Sequence, residues 1–225
     1  MAIKHISFDL WLTLIKSHPE FKQKRSELIA DFFNIKQLSA TEINLFIRSV
    51  DKIFDRYNEI SGKKVSADIM YHKVLQKILP NSDFVNPDSA KELHKAADNL
   101  FLEYPPLLLN ENIINILARL KDDGYSLNIS SNTGFIEGKI LRTVLTNMEI
   151  LQYFDFYIFS DEIEASKPSS YFFEKVYEHL DIDKKEVLHV GDNPKSDYKG
   201  AKSFGFDALL ITNPNYTIDD IRTKL

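Results

Sequence analysis

Several residues able to handle a charged, transferable group stand at the ends of apolar runs in this chain. Asp9 follows Ile3-Lys-His-Ile-Ser-Phe8, and Ser130-Ser131-Asn132 follows a second run. Lys167 lies in Ser166-Lys167-Pro168, and Gly191-Asp192 closes a third run, with Asp197 in the same segment. Carboxylates, a hydroxyl and an ammonium form a coherent set. They offer oxygen ligands to a hard cation and donors to a phosphate or carboxylate group. Phosphoryl transfer needs an in-line nucleophile, positive charge on the equatorial oxygens and donors that fix orientation. Asp9, Mg²⁺ with Lys167, and Ser131 can supply these. Taken singly, each residue has a structural reading, as a turn cap, a loop start or a surface helix start. Their common position at strand ends argues for chemistry.

The elements that position them follow from periodicity. Ile3 to Phe8 has the composition of a buried strand. From about Lys16 to Tyr104 strand signals are scarce, and Glu42 to Ile60 and Asp68 to Leu79 place apolar residues at helical spacing. Pro80, Pro87 and Pro105-Pro106 punctuate this helical block, the last pair as a return linker. Beyond it the pattern alternates. Helices are expected at Asn110 to Asp122, Phe135 to Thr146, Pro168 to Leu180 and Ser196 to Phe204. Strands are expected at Ser126 to Ser131, Phe156 to Ser160, Glu186 to Val190 and Ala208 to Thr212. This order implies an α/β fold, a doubly wound parallel sheet with right-handed crossovers and a helical insertion after the first strand. Ligands of such sheets bind at the carboxyl ends of the strands, where the residues named above converge.

Composition narrows the classes. The 225 residues are 44% apolar and 27% charged, as expected of a folded globular chain. A net charge of −5 disfavours nucleic acid as a partner, and small molecules are expected instead. There is no cysteine, so a metal must sit on oxygen or imidazole. No apolar run reaches membrane-spanning length and the N-terminus does not read as a signal peptide, so no membrane partner and a cytoplasmic location are expected.

Four segments, in order, resemble the motifs of the haloacid dehalogenase superfamily. They are Phe8-Asp9-Leu10-Trp11-Leu12-Thr13-Leu14, Asn128-Ile129-Ser130-Ser131-Asn132, Ser166-Lys167-Pro168, and Gly191-Asp192-Asn193-Pro194-Lys195-Ser196-Asp197. The resemblance implies a Rossmann-like core of residues 1–15 and 106–225 with a helical cap of residues 16–105. It implies an aspartyl intermediate on Asp9, with Ser131, Asn132 and Lys167 on the transferring group. It also implies Mg²⁺ held by Asp9, Asp192, Asp197 and the main-chain carbonyl of Trp11. In the family such a cap closes over small substrates and excludes water.

Two positions depart from the family pattern. Trp11 replaces the second Asp of the first motif, which protonates the leaving oxygen and then activates water. An indole cannot do this, and loss of a positioned acid or base costs about 10²- to 10⁴-fold. Leu12 stands where the family has Gly, the residue suited to positive φ or close approach. Three readings follow: a Mg²⁺-dependent phosphohydrolase specialised for good leaving groups such as acyl or aryl phosphates, a 2-haloacid dehalogenase, or a non-catalytic phosphate and metal sensor. An aromatic residue at the Trp11 position resembles the dehalogenase branch, in which halide leaves without protonation and no Mg²⁺ is needed. The acidic segment Gly191 to Asp197 favours Mg²⁺ and a phosphorylated substrate over a halogenated one. His189 is expected to be a packed or hydrogen-bonded core residue, and Lys63-Lys64 and Lys184-Lys185 solvated charges. Arg25, Arg48 and Arg56 are candidate anion contacts of the cap.

Overall fold

The computed structural model describes residues 2–225. Its main sheet has five parallel strands, β1 (His5–Phe8), β4 (Ser126–Ser131), β5 (Phe156–Phe159), β6 (Val187–Gly191) and β7 (Asp207–Leu210), in the spatial order β5-β4-β1-β6-β7. The central strand β1 ends directly before Asp9, whose N–H donates to Val190 O at 2.8 Å. This bond carries the pairing of β1 with β6 one residue past the strand. Two short antiparallel strands, β2 (Ile15–Lys16) and β3 (Leu107–Leu108), mark where the chain leaves and re-enters the sheet region.

One face of the sheet is apolar. Ile6, Phe8, Leu127, Ile129, Leu188 and Val190 pack with α5 (Ile113–Asp122), α6 (Gly138–Asn147) and α9 (Ile218–Arg222). The opposite face, covered by α7 (Ser170–Tyr177) and α8 (Gly200–Phe204), has Val187 and Ala208 among its apolar residues. On that same face His5, Ser7, Asn128, Ser130 and His189 are fully buried. Buried polar groups survive only when hydrogen-bonded, and these are bonded to one another across three strands.

Between β2 and β3 lie four helices: α1 (Phe21–Phe32), α2 (Ala40–Ser61), α3 (Ala67–Ile78) and α4 (Pro87–Glu103). They enclose their own apolar cluster, including Ile43, Ile47, Val74, Leu75 and Leu93. The ends of α2 are written in the sequence. Ser39 and Glu42 form a reciprocal cap at its start, and Gly62 ends it at φ +70°. Asn86 caps α4 and Pro87 takes its first position. Of these helices, sequence periodicity marks α2 and α3 individually and α1 and α4 only as parts of a helical block.

Several boundaries shift. The helix expected from Asn110 begins at Ile113, because the Asn110 side chain accepts the Asn112 N–H and makes a turn. The helix expected from Phe135 begins at Gly138, which leaves residues 134–136 as a loop in the cleft. Pro194–Lys199 is a π-helical turn ahead of α8 rather than part of one α-helix. The two lysine pairs are not simply solvated. Lys64 Nζ donates to Val65 O and to Gly134 O at 3.3 Å, and Lys184 Nζ lies 3.6 Å from the Phe204 ring centre.

Candidate active site

The carboxyl ends of β1, β4 and β6 meet at Lys167. Its fully buried ammonium donates to Asp9 Oδ1 at 2.8 Å, Asp197 Oδ1 at 2.6 Å and Ser130 O at 2.7 Å. Three acceptors satisfy its three protons, so the side chain is fixed in length and direction. Its loop is held just as firmly. Asn132 accepts the Lys167 N–H at 2.8 Å and donates to Lys167 O at 3.0 Å, replacing a pair of strand hydrogen bonds beyond the end of β4.

Asp9, Asp192 and Asp197 present carboxylate oxygens that all lie within 4.8 Å of one another. Asp9 also accepts the Thr13 hydroxyl at 3.2 Å. Asp197 accepts from Lys167 and His189 through Oδ1 and from the Asn193 N–H through Oδ2 at 2.9 Å. Burial pushes the Asp9 carboxyl up to about 7, opposed by Lys167 and reinforced by Asp197. Asp197 stays below the usual carboxylate range despite its burial, because Lys167 and His189 hold its charged form. Asp192 is raised by burial and then by Asp197. Three carboxylates facing one ammonium leave excess negative charge, which suits a hard divalent cation.

Gly191 makes this convergence possible. A Cβ at that position would stand 2.4 Å from the Asp197 carboxyl group, so only glycine lets β6 pass so close to it. Asp197 is further anchored by the polar face of the sheet. A carboxylate only accepts, so His189 Nε2 carries the proton of that 3.2 Å bond and its Nδ1 accepts from Ser7 at 3.1 Å. Ser130 then donates to Ser7 at 2.7 Å, Asn128 to Ser130 at 2.8 Å and His5 to Asn128 at 2.8 Å. Every donor in the series points toward Asp197. The sequence indicated a buried, hydrogen-bonded His189. It did not indicate that Ser7, Ser130 and Asn128 link to Asp197, because their partners lie on neighbouring strands.

The remaining residues named from sequence fall on both sides of this centre. The Ser131 hydroxyl is buried and donates to Asn132 O at 3.3 Å, and Ser131 does not line the cleft, whereas Asn132 does. Trp11 lines the cleft and leans on Phe101, with ring centres 6.2 Å apart. Leu12 adopts φ +58° with its side chain exposed, so the conformation that favours Gly is present without Gly. Of the three arginines, Arg25 lines the cleft between the rings of Phe21 and Phe135, while Arg48 and Arg56 are exposed outside it.

The cleft has a volume of about 430 Å³. Asp9, Lys167, Asp192 and Asp197 line one side and residues of α1 and α2 the other. Contacts that bridge the two sides include Glu59, which meets Lys195 at 2.6 Å and accepts from Ser196 at 3.4 Å, and Ser166 N–H, which donates to Gly62 O at 2.9 Å beside Lys167. Among the described residues no helix is long and apolar enough to cross a membrane.

Comparison with known proteins agrees with this geometry. An (S)-2-haloacid dehalogenase of Pseudomonas putida is 25% identical over 99% of this chain and 90% of its own length. A glyceraldehyde 3-phosphate phosphatase of Pyrococcus abyssi is 34% identical, but over 42% of this chain and 38% of its own length. The Drosophila melanogaster rhythmically expressed gene 2 protein is 38% identical over 34% of this chain and 30% of its own length. Among solved structures, a Bacillus subtilis HAD-hydrolase bound to magnesium superposes with a TM-score of 0.72 at 17% identity, covering 97% of this chain and 92% of that one. A HAD phosphatase from Thermococcus onnurineus gives 0.65 at 22% identity, over 98% and 97%. The family model for haloacid dehalogenase-like hydrolases matches residues 6–211, which span every element from β1 to β7, and the chain belongs to that family.

Proposed function

We propose that this chain is a Mg²⁺-dependent phosphohydrolase of small molecules that works through a covalent intermediate on Asp9. The observation that carries this reading is the meeting of three carboxylates, Asp9, Asp192 and Asp197, beside the buried Lys167. Mg²⁺ would be held by these carboxylates and the Trp11 carbonyl. When bound, it neutralises charge on the phosphoryl oxygens and on the carboxylates themselves.

The chain's own groups account for the rest. Asp9 attacks phosphorus from a carboxylate that Lys167 holds through Oδ1 and Thr13 through Oδ2, which fixes its orientation. Lys167, its three protons taken by Asp9, Asp197 and Ser130 O, supplies a fixed positive charge beside the transferring group. Ser131 is assigned to the same oxygens, a contact that requires its hydroxyl to rotate away from Asn132 O. Asn132 holds the Lys167 loop at the substrate's edge. We assign residues 16–105 as a cap that shelters the reaction from water and residues 1–15 and 106–225 as the catalytic core.

A 2-haloacid dehalogenase is the second reading, favoured by Trp11 on the cleft wall and by the Pseudomonas putida relative. Asp192 weighs against it, since halide displacement needs no cation and a carboxylate beside the nucleophile repels an anionic substrate. The decisive experiment measures phosphate release from p-nitrophenyl phosphate, acetyl phosphate and a sugar phosphate, with and without Mg²⁺, for wild type and Asp9→Asn. Turnover that requires both Mg²⁺ and Asp9 supports the phosphohydrolase. Halide release from 2-haloacids without Mg²⁺ establishes the dehalogenase instead. Binding of phosphate without either turnover leaves the sensor.

A further inference from the structure

Trp11 deprives the proposed reaction of the carboxyl group that the first motif ordinarily carries, yet carboxyl groups stand on the opposite wall. Asp51, Asp55 and Glu59 recur at helical spacing along α2 and all line the cleft that Asp9 opens into. They are not equivalent. Glu59 is engaged by Lys195 and Ser196 of the core. Asp55 is open to the cleft, and among the described residues no ion pair or hydrogen bond holds its carboxyl group. Asp51 has no ion pair or hydrogen bond among the described residues either, but burial raises it against the opposing charges of Arg25, Lys64, Lys22 and Arg48, whereas Asp55 is opposed by Lys64 alone.

In an in-line displacement the leaving oxygen departs on the side opposite the nucleophile. With Asp9 at the end of β1, that direction leads away from the sheet and toward the wall formed by α1 and α2. A second observation marks this wall as a ligand surface. Asn58, adjacent to Asp55 in the cleft lining, is 5% exposed, and its Oδ1 has no hydrogen-bond partner. An unpaired buried acceptor costs free energy unless something fills it. A hydroxyl or amine on the departing half of a substrate can do so.

We propose that Asp55 is the general acid and base of this enzyme, acting from the helical block in place of the carboxyl group missing at Trp11. The assignment rests on the phosphohydrolase reading. In the first step an Asp9 oxygen bonds to phosphorus, the bond from phosphorus to the ester oxygen breaks, and the Asp55 proton passes to that oxygen to release an alcohol. In the second, water attacks phosphorus, Asp55 takes its proton, and the bond to Asp9 breaks to release inorganic phosphate. Both carboxyl groups return to their starting states. Loss of hydration within the cleft, then Asp51 and Glu59 on the same helix, push Asp55 up to about 7 against the opposing Lys64. Lys22 and Arg25 of α1 and Asp192 of the core line the same cleft. A carboxyl group in this range is poised to give and take a proton near neutral pH. The substrates would then extend beyond acyl and aryl phosphates to alkyl phosphates, whose leaving groups need a proton.

The test is a series of phosphate monoesters ordered by leaving-group pKa, assayed with Mg²⁺ as kcat/KM for wild type, Asp55→Asn and Asp55→Glu, with a pH profile for each. Asp55→Asn should lose about 100-fold on alkyl phosphates and less than about 10-fold on p-nitrophenyl phosphate. Its rates should fall more steeply with leaving-group pKa, and the limb of the profile near neutrality should vanish. Asp55→Glu should recover part of the alkyl activity. A uniform loss across the series, or none, sinks the assignment while leaving the phosphohydrolase standing. If wild type hydrolyses no ester in the series, both fall. Should Asp55→Asn fail to fold by circular dichroism, Asp55→Ser gives the same comparison.

Discussion

At the scale of single residues, Lys167 and Leu12 store free energy in opposite ways. Lys167 satisfies two buried carboxylates at once, and removing one member of such a set leaves uncompensated charge. Lys167→Ala should destabilise the fold by about 3–5 kcal/mol, measured by urea unfolding at pH 7. The deficit should shrink at low pH as Asp9 protonates. A loss under about 1 kcal/mol would mean that the carboxylates neutralise without the ammonium. Leu12 holds φ +58° with its side chain mostly in solvent. The left-handed region costs a residue with a Cβ about 1–2 kcal/mol, and glycine returns about 0.5–1 kcal/mol of that as lost chain entropy. Leu12→Gly should therefore raise the thermal midpoint modestly, and a clear fall would show that the Leu12 side chain makes contacts worth more than the strain. Trp11→Asp in turn should change kcat on alkyl phosphates by less than about 10-fold, since Asp55 already supplies the acid, whereas in an Asp55→Asn background it should restore activity. A large gain in the otherwise wild-type chain would mean that the cleft lacks an acid of its own and would count against Asp55.

At the scale of elements, the polar face of the sheet explains both what the sequence conveyed and what it hid. Strand ends at Phe8, Ser131 and Gly191, the residues they deliver and the alternation with helices are local patterns, legible without a structure. The expected strands and the observed ones differ by only a residue or two at their ends. The series from His5 to Asp197 was not legible, since each of its bonds joins strands far apart in sequence. The same holds for the helical block. Periodicity identifies helices but not which faces of α1 and α2 look into the cleft, so it separates neither Arg25 from Arg48 and Arg56 nor Asp55 from its neighbours. Gly191 tests how tightly the element is built. Gly191→Ala places a methyl group 2.4 Å from the Asp197 carboxyl group and must displace it. The variant should weaken Mg²⁺ binding, read as a smaller Mg²⁺-induced rise in thermal midpoint, and lower turnover. An unchanged midpoint response would mean that Asp197 serves Lys167 and not the cation.

At the scale of the whole molecule, stability and the site share the same buried polar groups, so pH acts on both. His5 lies at the far end of β1 from Asp9, with its ring stacked on Phe156 and bonded to Ser126 and Asn128. Burial lowers its pKa to about 4 from the ordinary 6.5. Between those two values the unfolded chain binds a proton that the folded chain refuses. This contribution is complete above about pH 6.5 and is lost as pH falls toward 4. It amounts to about 3 kcal/mol at 1.36 kcal/mol per unit. Asp9 works in the opposite sense. Its carboxyl is raised to about 7, so the folded state keeps a proton that the unfolded chain loses, and that contribution fades as pH rises through the same window. A stability profile of the wild type alone therefore mixes two opposing slopes. The difference between wild type and His5→Gln, from urea unfolding at intervals from pH 4 to 7 without Mg²⁺, removes the Asp9 term. It should grow by about 3 kcal/mol toward neutral pH. A flat difference would mean that His5 stays protonated in the fold, and the orientation of donors from His5 through Asn128 and Ser130 toward Asp197 would have to be redrawn.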